Sequence, residues 1–134
     1  MTAVKVLIID DEIEMASTLA ERLNIRGFDA SAVSCGEDAL SLIQDRNIPD
    51  IVLFDLKMPV RGGMETLAAI KEFDSDIEVL IFTDKGSCHI ENGDRHDKTF
   101  EYIMKSSPIN EITDKINKAA AKRLAGGRQG TNPD

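Results

Sequence analysis

The sequence predicts an α/β protein, one five-stranded parallel sheet with helices on both faces. Three observations carry that prediction. Short apolar runs alternate with segments of helical periodicity along the chain. Most of those runs are continuous rather than alternating, as strands buried on both faces require. Each run also stops at a polar residue followed by a turn or helix-start signal. The order βαβαβαβ(α)βα makes a single doubly wound domain the economical solution.

Val4 to Ile9 is the first strand and stops at Asp10-Asp11-Glu12, acids that favour a helix start. Ile13, Ala16, Leu19, Ala20 and Leu23 follow the i, i+3, i+4 spacing of one helix face, and Gly27 ends that helix. Phe28 to Ser34 is a more polar strand, expected near an edge. Ser34 and Glu37 fit a capping box for a second helix that buries Ala39, Leu42 and Ile43.

Ile51 to Phe54 is a wholly apolar third strand that delivers Asp55 at its end, before Pro59 and the Gly62-Gly63 pair. A third helix is predicted from Met64 to Asp74, with Met64, Leu67, Ile70 and Phe73 inward. Ile77 to Phe82 is the fourth strand, ending at Thr83. From Asp84 to Thr99 only Ile90 and Cys88 offer core side chains, so the fourth helix is predicted to be weak or missing. Phe100 to Met104 is the fifth strand, with Lys105 at its end. Ser107 and Pro108 open a last helix whose inward face is Ile109, Ile112, Ile116, Ala119 and Ala120. Residues 1–124 are predicted to form the domain and 125–134, rich in glycine, a flexible tail.

Composition excludes several classes of function. A formal net charge of −8 argues against a nucleic-acid or anionic-membrane surface and suits a site that gathers a cation. The amino-terminal run is too short for a signal peptide or a membrane span, which predicts a cytoplasmic protein. Two cysteines, Cys35 and Cys88, without metal-ligand spacing, are expected as reduced thiols. Cys88, His89 and His96 match no metal-binding pattern and read as a solvated loop.

Parallel strands point their carboxyl ends to one edge, where open α/β sheets place ligands. That gathers Asp10, Asp11, Asp55, Thr83 and Lys105 in one crevice. Crowded carboxylates repel unless a cation joins them, and oxygen ligands with room for water suit Mg²⁺. Asp55 can act as a nucleophile toward phosphorus, with Lys105 and Thr83 placed to stabilise charge on the other phosphoryl oxygens. Taken singly the signals are ordinary: the first acids could simply cap a helix, Thr83 end a strand, Lys105 stay in water. Their joint order is what is specific.

Over about residues 4–122 the chain resembles the receiver domains of bacterial two-component response regulators. The matching residues are Asp10-Asp11, Asp55-Leu-Lys-Met-Pro59, Gly63, Glu65, Thr83, Tyr102 and Lys105. The resemblance implies a flavodoxin-like strand order 2-1-3-4-5. It implies that Asp55 takes phosphate from a histidine kinase or histidine phosphotransfer protein, and that Asp11, Asp55 and the Lys57 carbonyl hold Mg²⁺, with Asp10 acting through water. Thr83 and Tyr102 would be the switch that changes affinity for a downstream protein partner or effector domain, with a homodimer as one option. The chain would catalyse only its own phosphorylation and dephosphorylation.

Three departures stand out: Asp84 after Thr83, Gly62 before Gly63, and Lys105 separated from Pro108 by two serines. They leave open a second reading, a receiver-like interaction or dimerisation module that works without phosphorylation. A phosphatase-like hydrolase would want a second carboxylate two residues after Asp55, where Lys57 stands.

Overall fold

A computed structural model describes residues 3–45, 47–55, 60–74, 76–83 and 101–131, with the backbone alone described at 60–65, 83, 101–102 and 123–131. The strands are β1 (Lys5–Ile9), β2 (Asp29–Val33), β3 (Ile51–Asp55), β4 (Glu78–Thr83) and β5 (Glu101–Met104). The helices are α1 (Ile13–Ile25), α2 (Gly36–Gln44), α3 (Val60–Phe73) and α4 (Ile109–Thr131). All pairings are parallel and the sheet runs β2-β1-β3-β4-β5, the flavodoxin-like order. The order reverses beside β1, so β1 and β3 open a crevice at their carboxyl ends.

Alternation along the strands divides the core into two layers. Val6, Ile8, Ile51, Leu53, Leu80, Phe82 and Ile103 face one side and pack with α1 and α4. Leu7, Ile9, Val52, Phe54, Val79 and Ile81 face the other and pack with α2 and α3. Successive strand residues point to opposite faces, so residues apolar at every position must be covered twice. Side-chain parity continues past the strand ends: Asp10 follows Val6 and Ile8, Asp55 follows Ile51 and Leu53, and Lys105 follows Ile103.

Several helix boundaries differ from those predicted. The second helix has Cys35 as N-cap with no side-chain cap, so the Ser34–Glu37 capping box does not form. Its first residue, Gly36, packs directly on α3, where a Cβ would overlap the Thr66 side chain. The third helix begins at Val60, four residues before Met64, and takes in Gly62 and Gly63. Glycine costs about 1 kcal/mol in a helix interior, too little to veto a helix that buries Leu67 and Ile70. Phe73, predicted inward, is 49% exposed because it occupies the last position of α3. Ile13 is likewise exposed in the first turn of α1. Pro108 lies one residue before α4, its carbonyl accepting from the Glu111 and Ile112 amides.

The backbone of α4 continues to Thr131, through the stretch predicted as a tail. Once a helix is nucleated each further residue adds a hydrogen bond, and Ala121 to Ala125 are mostly strong helix formers. The expected weak or missing helix between β4 and β5 falls on 84–99, outside the described residues, as do Lys57, Cys88, His89 and His96. Cys35 is a free thiol. Among the described residues no helix is long and apolar enough to cross a membrane.

Candidate functional site

The site is built from the ends of β1, β3 and β5. Ile9 pairs with Phe54, so Asp10 and Asp55 emerge side by side from the two central strands. Both are buried, each 1% exposed, and Asp11 beside them is open to solvent. One carboxylate oxygen from each of Asp10, Asp11 and Asp55 lies within 4.8 Å of the other two.

Lys105 reaches this cluster from β5, across the intervening strand. Its Nζ passes 5.7 Å from the centroid of the Phe82 ring, which occupies β4 opposite Asp55. The ammonium then lies 2.9 Å from Asp10 Oδ2, 3.4 Å from Asp55 Oδ2 and 3.7 Å from Glu12 Oε1. Its side chain is 5% exposed, so these pairs operate in a medium where charge attraction is much stronger than in water. The ammonium itself lies over the Phe82 ring, within the range of a cation–π contact.

Asp10 is held from two sides: Oδ1 accepts from the Glu12 amide at 2.9 Å, and Oδ2 meets Lys105. Its own amide donates to the Val33 carbonyl at 3.1 Å, tying the end of β1 to β2. Glu12 is the N-cap of α1, so helix start and carboxylate position are set by one turn of chain.

Three carboxylates face one buried ammonium here, an excess of negative charge that favours a cation. The donor set fits Mg²⁺: all oxygens, close enough to share one ion whose opposite ligands stand about 4 Å apart. Asp11, exposed, leaves room for the waters that Mg²⁺ retains.

Of the residues singled out in the sequence, Asp10, Asp11, Asp55 and Lys105 come together. Thr83 and Tyr102 lie in β4 and β5, with Thr83 paired to Met104 and Tyr102 to Ile81; their side chains lie outside the description. Two participants were missed. Glu12 read as a helix-start acid, and nothing in the sequence distinguishes its reach toward Lys105. Phe82 read as core, though its parity with Leu80 put it on the same face as Lys105 and Asp55.

Comparison with known proteins agrees with this geometry. The family model described as "Response regulator receiver domain" matches residues 6–117. Sporulation initiation phosphotransferase F of Bacillus subtilis is 31% identical over 114 residues, 85% of this chain and 91% of that protein. The transcriptional regulatory protein PrrA of Mycobacterium tuberculosis is 24% identical over 92% of this chain, which spans 52% of PrrA. A response regulator receiver domain protein from Clostridium thermocellum superposes with a TM-score of 0.77 at 28% identity, covering 91% of this chain and 98% of the other. Topology, clustered acids and family match converge: the chain belongs to the response regulator receiver domains of two-component signalling.

Proposed function

We propose that Asp55 is the phosphoacceptor of this receiver, taking a phosphoryl group from a phosphohistidine on a histidine kinase or histidine phosphotransfer protein. The observation that carries the proposal is the position of Asp55: buried at the end of β3, 3.4 Å from the Lys105 ammonium and beside two further carboxylates. A carboxylate oxygen of Asp55 forms the new P–O bond while the P–N bond to the donor imidazole breaks, its electron pair returning to the ring nitrogen. Lys105 supplies positive charge beside the equatorial oxygens, and the Thr83 hydroxyl would donate a hydrogen bond to one of them.

Bound Mg²⁺ would neutralise charge on the phosphoryl oxygens. Asp11 and Asp55 would ligate it directly, joined by the Lys57 carbonyl. Asp10, with both oxygens already engaged, would act on it through water. Hydrolysis of the acyl phosphate would return the site to its resting state, the chain acting on no other substrate. Phosphorylation would shift the Thr83–Tyr102 side of the sheet between two arrangements and so change affinity for a downstream protein or effector domain. Residues 1–124 would be the working domain, in the cytoplasm, with 125–134 outside it.

Incubation with acetyl phosphate, with Mg²⁺ or with a chelator, tests this by intact mass. The expected result is one phosphoryl adduct on wild type with Mg²⁺, and none with chelator or in Asp55→Asn. Wild type without an adduct, and indistinguishable from Asp55→Asn, would favour the phosphorylation-independent interaction module instead.

A further inference from the structure

We infer that Asn24 is an edge guard: its side chain occupies the free edge of β2 and blocks a second copy of this chain from adding a strand there. In the parallel ladder the Asp29 amide donates to Val4 at 2.9 Å and the Val33 carbonyl accepts from Asp10 at 3.1 Å. Residues 29, 31 and 33 therefore direct their backbone polar groups to β1, and residues 30 and 32 direct theirs outward. Among the described residues β2 is the last strand on its side, so those outward groups are what an incoming strand would bind.

Asn24 closes half of that edge. Its Oδ1 accepts from the Ala30 amide at 2.7 Å and its Nδ2 donates to the Ala30 carbonyl at 3.1 Å. A carboxamide presents a donor and an acceptor on one side, as the amide and carbonyl of a single strand residue do, so Asn24 stands where a residue of a sixth strand would. Two residues upstream of Ala30 the Phe28 amide is also engaged, donating to the Leu23 carbonyl at 3.1 Å. Among the described residues none engages the Ala32 amide and carbonyl, the outward pair then left for an incoming chain.

The chain reversal that delivers this contact is a Schellman motif. Gly27, at φ +96°, sends its amide to Asn24 and the Phe28 amide to Leu23, folding β2 back beside the last turn of α1. Asparagine is a poorer helix former than alanine, so helix formation does not account for its presence there. The double contact with Ala30 does.

Asn24→Ala, a substitution that favours α1, separates guard from bystander. Residue-resolved hydrogen exchange at low protein concentration reads the clamp. The Ala30 amide should exchange about fivefold faster or more in the variant, the effect of one lost hydrogen bond, with Asp29 and Ser31 unchanged. Sedimentation equilibrium reads the guarding. The variant should gain mass with concentration relative to wild type, and its Ala32 amide should become protected as it does so. An Ala30 amide that exchanges no faster, or a mass profile that matches wild type, overturns the inference.

Discussion

Replacing Lys105 with Met would remove the one ammonium that the described residues bring to the acid cluster, leaving Asp10 and Asp55 buried side by side. At an effective dielectric constant of about 20, unit charges at the observed 2.9 and 3.4 Å attract by roughly 6 and 5 kcal/mol. Desolvation of the ammonium offsets much of this. What a denaturation curve reads is the cost of stranding the remaining charges, about 3–5 kcal/mol when one partner of a buried pair is removed. A surface pair would lose only about 0–1 kcal/mol. The assay is urea unfolding with chelator present, for wild type, Lys105→Met, Asp55→Asn and the double variant. Asp55→Asn should lose far less than Lys105→Met, because it also relieves repulsion with Asp10. The double variant should recover at least about 1.5 kcal/mol of the Lys105→Met loss, a coupling expected between contacting charges. A Lys105→Met loss under about 1 kcal/mol, or strictly additive effects, would refute this electrostatic reading.

Other expectations concern the ion and the frame. Mg²⁺ at ten times its dissociation constant should stabilise wild type by about 1.4 kcal/mol in the same urea assay, and Asp11→Asn should abolish the gain. Gly36→Ala should destabilise by about 1–3 kcal/mol by driving a Cβ into Thr66, and adding Thr66→Ala should restore part of it, as thermal melts would show. Gly27→Ala should cost about 1 kcal/mol or more through its left-handed backbone alone, since a Cβ there meets nothing within 4 Å. Truncation after Leu124 should leave the unfolding midpoint and Mg²⁺ response intact, measured on the same curves.

The sheet was legible because burial on both faces leaves a direct mark in sequence. Ile51 to Phe54 has no polar position, and that alone required two covering layers. The site was legible for a related reason. In a parallel sheet, strand ends share an edge, so a polar residue closing an apolar run has a known address, as Asp10, Asp55 and Lys105 did. Helix starts were harder. Ser34 and Glu37 satisfied a capping pattern, yet the helix begins at Gly36, because close packing against Thr66 sets its position and no local pattern encodes that contact. Gly62 and Gly63 signalled a turn, but their weak intrinsic penalty yields to the tertiary packing of α3. Asn24 passed as one more polar helix residue, since its partner Ala30 is defined only after the chain reverses at Gly27.

Whether Asp55 carries the phosphoryl group is decided by chemical trapping. Borohydride reduces an aspartyl phosphate to homoserine, so peptide mapping after acetyl phosphate, Mg²⁺ and borohydride reports the modified position. Homoserine at position 55 alone is the predicted result. Homoserine at Asp10 or Asp11, or an unmodified chain, would contradict it.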